Sequence, residues 1–332
     1  MTGGRRGLRF PLLVAGLAAL VAGLFFLSLA VGQVWIDPVS TLTGGSAADR
    51  LIMAEIRLPR ALLGLMVGAI LGLSGAVLQG LLRNPLAEPG LLGVSASASL
   101  GAVLAIHGGL VAVHAYALPL SALVGALLSV VLLQALVGRS AEILTLILAG
   151  VALTSLAGAL TSLVLNLSPN PFAAMEIVFW MLGSLTDRSM VHVGLAGPFI
   201  LVGAGLLFMT GRALEALSLG QEVARSLGIR MGRTRALAVL GTALGVGAAT
   251  AVSGAIGFVG LIVPHLLRPL VGHRPGRLLP VSALGGAAFL LAADLLVRVI
   301  LPGRDLKLGV VTAIIGAPFF LWLLLGLKRR AA

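Results

Sequence analysis

The chain has 332 residues, of which 59% are hydrophobic and only 10% charged, and its formal net charge is +12. That composition excludes an ordinary soluble domain, and apolar runs repeatedly exceed the roughly 18–20 residues that a helix needs to cross the hydrocarbon core of a bilayer. The basic residues sit in short segments flanking those runs, without the aromatic interleaving of a nucleic-acid surface, so membrane topology accounts for the charge.

In chain order, the apolar runs predict ten helices, at 10–34, 61–82, 91–106, 111–137, 143–167, 191–210, 236–256, 257–271, 279–301 and 308–327. The fold class is therefore all-α, a single polytopic membrane domain over residues 1–332. Arg5, Arg6 and Arg9 precede the first run, which is longer than a usual signal core and reads as an uncleaved span. The third and eighth runs are short and interrupted, by Asn84, Pro85 and Pro89 in one case and by Gly254, Gly257, Gly260 and Pro264 in the other. Such breaks are tolerated at membrane depth only where protein or a water-filled cavity covers the freed backbone groups. Glycines at 64, 68, 72 and 75, and at 241, 245 and 247, predict close helix packing. Two outer segments, around Trp35 and over 171–185 with Trp180, read as interfacial helices whose tryptophans suit the headgroup belt.

Orientation follows from counting cations. With a cytoplasmic amino terminus, sixteen Lys and Arg residues fall on the inner side and seven on the outer. The positive-inside rule favours this arrangement, and an even number of spans places both termini in the cytoplasm.

The chain lacks the residues for several chemistries. It has no cysteine, and its two lysines, Lys307 and Lys328, do not follow a glycine-rich turn, so no phosphate loop is present. Neither a metalloprotease spacing nor a hydrolase triad is visible, which argues against an intramembrane enzyme. Asp294 is the single acid well inside a predicted span. Arg298 lies four residues on, a spacing that brings the side chains together and reads as a structural ion pair more readily than as the relay of an ion-coupled secondary transporter.

Between Arg212 and Arg235 lies the longest polar segment. Leu219, Val223 and Leu227 recur every fourth residue, with Gln221, Glu222 and Arg225 on the other side, so a short amphipathic helix is predicted. By itself this pattern fits a helix lying on anionic lipid, held by Arg225, Arg230, Arg233 and Arg235. Arg57, Arg60 and Arg298 fall at the outer side and by themselves read as interfacial anchors.

Four longer motifs recur in order: Arg57-Leu-Pro-Arg60 with Arg83-Asn-Pro-Leu-Ala-Glu-Pro-Gly-Leu-Leu-Gly-Val-Ser95, Leu148-Ala-Gly-Val151, Gly254-Ala-Ile-Gly-Phe-Val-Gly-Leu-Ile-Val-Pro-His265, and Gly309-Val-Val-Thr-Ala-Ile-Ile-Gly-Ala-Pro-Phe-Phe320. Together they resemble the FecCD/BtuC-like permease family of type II ABC importers for iron chelates, haem and cobalamin. The resemblance implies a homodimer of ten-helix subunits in the bacterial inner membrane, with a translocation path on the dimer axis. It also implies two cytoplasmic ATPase subunits that bind the ATP and a periplasmic substrate-binding protein; the permease itself is non-catalytic and holds no permanent cofactor.

Residue by residue, the resemblance makes 212–235 a coupling region, with Leu219, Gly220, Glu222, Val223, Arg225, Leu227 and Gly228 docking on the ATPase. It makes Arg57, Arg60 and Arg298 partners for glutamates of the binding protein. It also places a cytoplasmic gate at Asn84, Leu86, Glu142, Ile143 and Leu144, although plain turn chemistry explains Asn84 and Pro85 equally well. Residues Phe179–Leu185 and Thr186–Ser189 resemble the haem-importing branch, which makes haem the expected cargo, with an iron-siderophore complex or cobalamin as the alternative. His107, His114, His192, Met175 and Met181 are candidate transient iron ligands near the outer side.

Overall fold

A computed structural model describes residues 4–32, 34–44, 46–114, 116–137, 143–168, 170–300 and 306–331. Among them the regular structure is helical: α1 (Gly4–Ala30), α2 (Pro38–Thr43), α3 (Ala47–Ile52), α4 (Leu58–Leu81), α5 (Val94–His107), α6 (Leu110–Val113), α7 (Ala117–Val137), α8 (Ile143–Asn166), α9 (Pro171–Met181) and α10 (Met190–Phe208), followed by α11 (Gly211–Leu217), α12 (Gln221–Ser226), α13 (Met231–Ser253), α14 (Val259–Leu267), α15 (Pro275–Ile300) and α16 (Leu308–Ala331). A π-turn at Met53–Arg57 joins α3 to α4, so that Ala47–Leu81 runs as one helical segment.

Eight of these segments are long and apolar enough to cross a membrane. The predicted third and eighth runs appear as α5 and α14, with 14 and 9 residues. At 1.5 Å per residue they extend about 21 and 14 Å, less than the ~30 Å core. The shortening has local causes. Before α5, Pro89–Leu92 forms a 3₁₀ turn and Gly93 adopts φ 74°; before α14, Gly254 ends α13 at φ 70° and Phe258 sits at φ 67°.

The remaining boundaries move by a few residues. The second helix begins before residue 61 because Pro59 occupies its first turn, where a missing N–H costs nothing. The fourth begins at Ala117 instead of 111, since Leu110–Val113 forms its own short turn.

α4 lies at the centre of the molecule, buried over most of its length. Its apolar side chains share one cluster with α10, α13 and α15, among them Leu63, Ile70, Leu73, Leu207, Val246, Val281 and Leu290. A second cluster joins α5, α7 and α8 to the other side of α13 through Ala98, Val103, Ala126, Leu133, Leu146 and Ala243. The predicted glycine seam is what lets these backbones meet. A Cβ on Gly68 would stand 2.3 Å from the Gly286 carbonyl oxygen, one on Gly72 2.1 Å from that of Ser282, and one on Gly75 1.9 Å from that of Gly260. Any side chain there would separate α4 from α15 and from the start of α14, and with them the dispersion contact that holds helices together in lipid.

Candidate functional site

Three arginines converge where α1 ends. Arg57 is 5% exposed, and its guanidinium donates to the carbonyl oxygens of Leu29 (2.7 Å), Ala30 and Val34. Arg298 donates to the Ser28 and Val31 carbonyls, at 2.8 and 3.0 Å, and to the Ser28 hydroxyl oxygen at 2.8 Å. Arg60 and Arg298 then bracket the Asp294 carboxylate, Arg60 through Nε and Nη2 at 2.8–3.1 Å and Arg298 through Nε at 3.0 Å and through Nη2. The Asp294–Arg298 pair expected from the four-residue spacing is therefore present. Arg60 joins it from α4, which spacing could not reveal. The helix end of α1 offers unpaired carbonyls, and cations are the natural partners for them. The three expected docking residues are thus brought together, with Arg57 committed to the interior and Arg60 and Arg298 retaining a small exposed fraction.

At the opposite end of α4 the chain turns at Asn84, whose Oδ1 accepts from the Leu86 amide at 2.9 Å. Both residues are half-buried. The segment then returns to pack Pro89 against Gly260, where a Cβ would be 2.7 Å from the proline ring. Gln79 ties the two breaks together: its Nε2 donates to the Gly260 and Leu261 carbonyls at 3.2 and 3.3 Å, and its Oε1 accepts from Arg268 at 2.6 Å. Gln79 belongs to the motif of the second helix and Arg268 to the inner cations, but their pairing was not legible in the sequence, although polar residues within glycine-rich apolar segments were a signal. Of the other expected gate residues, Glu142 lies outside the described residues, Ile143 begins α8, and Leu144 is exposed.

The predicted amphipathic helix divides. α12 covers Gln221–Ser226, while Leu219 precedes it across Gly220, whose φ of 112° excludes a continuous helix. Leu219, Val223 and Leu227 are nevertheless all exposed, at 66%, 42% and 62%. Glu222, Arg225 and Gly228 are exposed beside them, and Ala224 anchors α12 to the core. Gly228 closes the segment at φ 81°.

On the side of the arginine cluster, α9 and the following loop border a cavity of about 480 Å³. Phe172, Met175 and Phe179 form an apolar wall, and two acids, Glu176 and Asp187, and two cations, Arg188 and Lys307, bring charge to it. Lys307 Nζ stands 5.6 Å from the Phe179 ring centroid. The Arg188 Nε is buried without a hydrogen-bond partner among the described residues, and burial pushes its pKa down while Asp187 opposes the shift. Trp180 lines the cavity but is 9% exposed, packed in the core instead of the headgroup belt, whereas Trp35, the other tryptophan expected there, is 68% exposed. Among the candidate iron ligands, Met175 alone lines this cavity. His192 accepts from the Ser189 amide at the start of α10, His107 ends α5, Met181 packs against the second core cluster and His114 is exposed, so these four are dispersed.

A bundle of this kind, with broken helices at its centre and an exposed apolar knob on a basic loop, has the architecture of a transport permease. The FecCD transport family matches residues 19–326, and the chain belongs to it. Among its relatives, the vitamin B12 import system permease protein BtuC of Salmonella typhi is 42% identical over 98% of this chain and 97% of its own. The ABC transporter permease protein YvrB of Bacillus subtilis (strain 168) is 42% identical over 84% of this chain and 80% of its own. A solved metal-chelate type ABC transporter in an inward-facing conformation superposes with a TM-score of 0.85 at 33% identity, covering 95% of this chain and 99% of that one. The protein is a multi-pass membrane permease of the ABC importer class.

Proposed function

We propose that the chain forms, with a second copy, the ten-helix-per-subunit membrane path of an ATP-driven importer for a large metal chelate, in the inner membrane with both termini cytoplasmic. ATP is hydrolysed by two partner subunits that seat on Leu219, Val223 and Leu227. The observation that carries this reading is the exposure of that apolar triad on a water-level segment rimmed by arginines, a surface that gains by burial against another protein. Glu222 and Arg225 set its orientation, and the positive-φ glycines 220 and 228 hold its shape.

On the outer face, a binding protein approaches the Arg57–Arg60–Arg298 cluster. Its three guanidiniums outnumber the carboxylates beside them, Asp294 and the Asp49 that acts on Arg57, which favours an acidic partner and steers its approach. Asn84, Leu86, Ile143 and Leu144 are assigned to the inner exit; Glu142, expected beside them, lies outside the described residues.

For the cargo, the full-length similarity to vitamin B12 permeases supports cobalamin as the first reading. Haem, expected from Phe179–Ser189, is supported only by the aromatic wall of the cavity beside α9, since its cations Arg188 and Lys307 are matched by Glu176 and Asp187. Reconstitution in liposomes with the cognate ATPase, and with cobalamin, haem and a ferric siderophore in competition, separates these. ATP-dependent uptake led by cobalamin is expected; uptake led by haem overturns the cargo assignment, and uptake driven by an ion gradient without nucleotide overturns the importer reading.

A further inference from the structure

A second cavity lies at the other end of the molecule, between the end of α7 and the beginnings of α8 and α13, with a volume of about 500 Å³. Leu133, Val137, Leu146 and Val239 make its wall apolar, and Gln134 and Arg235 are its polar members. Arg235 is half-buried, and among the described residues it has neither an ion pair nor a hydrogen bond. No described carboxylate lines the space.

Its depth in the fold is informative. Leu133 stands four residues before α7 ends, Leu146 three residues after α8 begins, and Arg235 four residues after α13 begins. Each is therefore about one helical turn, ~5 Å, inside the ends of these helices. On helices that cross a bilayer, a cation one turn inside the end beside an apolar wall suits a phospholipid, phosphate to the cation and acyl chains to the wall. Arg230 and Arg233, both exposed, add positive charge at the rim. The first turn of α13 has no side-chain cap and contributes in the same sense.

We infer that this cavity is a binding site for an anionic membrane phospholipid, whose phosphate pairs with Arg235 and whose acyl chains lie along Leu133, Val137 and Leu146. The lipid belongs to the leaflet facing the Arg212–Arg235 segment. A purely polar anion would leave the apolar wall in water, and a neutral lipid would leave Arg235 without a counter-charge among the described residues; an anionic phospholipid satisfies both. None of its lining residues belongs to the exposed triad Leu219, Val223 and Leu227.

The test uses the full chain in nanodiscs of phosphatidylcholine, alone or with about a quarter phosphatidylglycerol, followed by native mass spectrometry to count retained lipid. The unmodified chain retains phosphatidylglycerol preferentially. Arg235→Gln lowers that retention about fivefold, the loss expected for one cation near an anionic headgroup, whereas Arg235→Lys keeps most of it. Ala236→Trp, which keeps the charge but occupies the cavity, also lowers it. Unfolding midpoints in phosphatidylcholine alone check that each variant is folded, and if Arg235→Gln is not, Ala236→Trp decides. Equal retention by all folded variants overturns the site. So does an Arg235→Gln chain that keeps its lipid but no longer retains the ATPase subunit, since Arg235 would then be a protein contact.

Discussion

Asp294 holds two guanidiniums on one carboxylate, and the arginine that spacing alone would assign to it is only half of the arrangement. Removing the acid leaves both cations with poor compensation in a largely buried setting. Asp294→Ala should therefore lower stability by about 3–5 kcal/mol, the cost of breaking a buried pair, read as a fall in the unfolding midpoint in detergent. Arg57 serves a different purpose, since its partners are carbonyls at the end of α1. Arg60→Glu and Arg298→Glu should slow association of the binding protein and flatten the dependence of its on-rate on salt, because such steering is screened over about 8 Å at physiological ionic strength. An on-rate and salt slope equal to those of the unmodified chain, in a folded variant, would show that the cluster is a clasp for α1 alone.

Among the elements, glycine placement separates positions that fail in different ways. Gly72→Leu forces a side chain into the Ser282 carbonyl and should cost at least about 1–3 kcal/mol, measured by thermal unfolding. Gly158 on α8 has no atom within 4 Å of where a Cβ would stand, so Gly158→Trp should leave the chain folded. If α8 lines the dimer path, that variant should block chelate flux in liposomes. Gly316 on α16 makes a poor probe of the same idea, because a Cβ there would stand 2.1 Å from the Phe258 ring. The α12 segment supplies the complementary test. Replacing Leu219, Val223 and Leu227 together by Ser touches residues that the core does not use, so insertion should be unchanged while the ATPase subunit is lost from the purified complex; retained ATPase and full transport would place the docking surface elsewhere.

For the whole molecule, the two ends differ in what they offer a partner. One end carries the arginine clasp and the cavity beside α9; the other carries the exposed apolar triad and the Arg230–Arg235 cations. Hydrophobic run length and the charges between runs were enough to read a polytopic helical bundle, because a segment in lipid must satisfy its own backbone hydrogen bonds and therefore forms a helix wherever it crosses. The glycine seam was legible for the same reason, since small residues in an apolar run have few uses other than close approach. Period and run length could not give the joining of Arg60 on α4 to Asp294 and Arg298 on α15, the bridge from Gln79 to α14, or the burial of Trp180. Each depends on which helices become neighbours, and contacts between residues more than a hundred apart leave no local pattern. The sequence by itself determined the membrane-crossing helical class, the places of the long apolar runs and the motifs of the family. Only the tertiary structure decided which charges are spent inside the fold and which remain for partners, because that is set by the packing of α4 among α10, α13, α14 and α15.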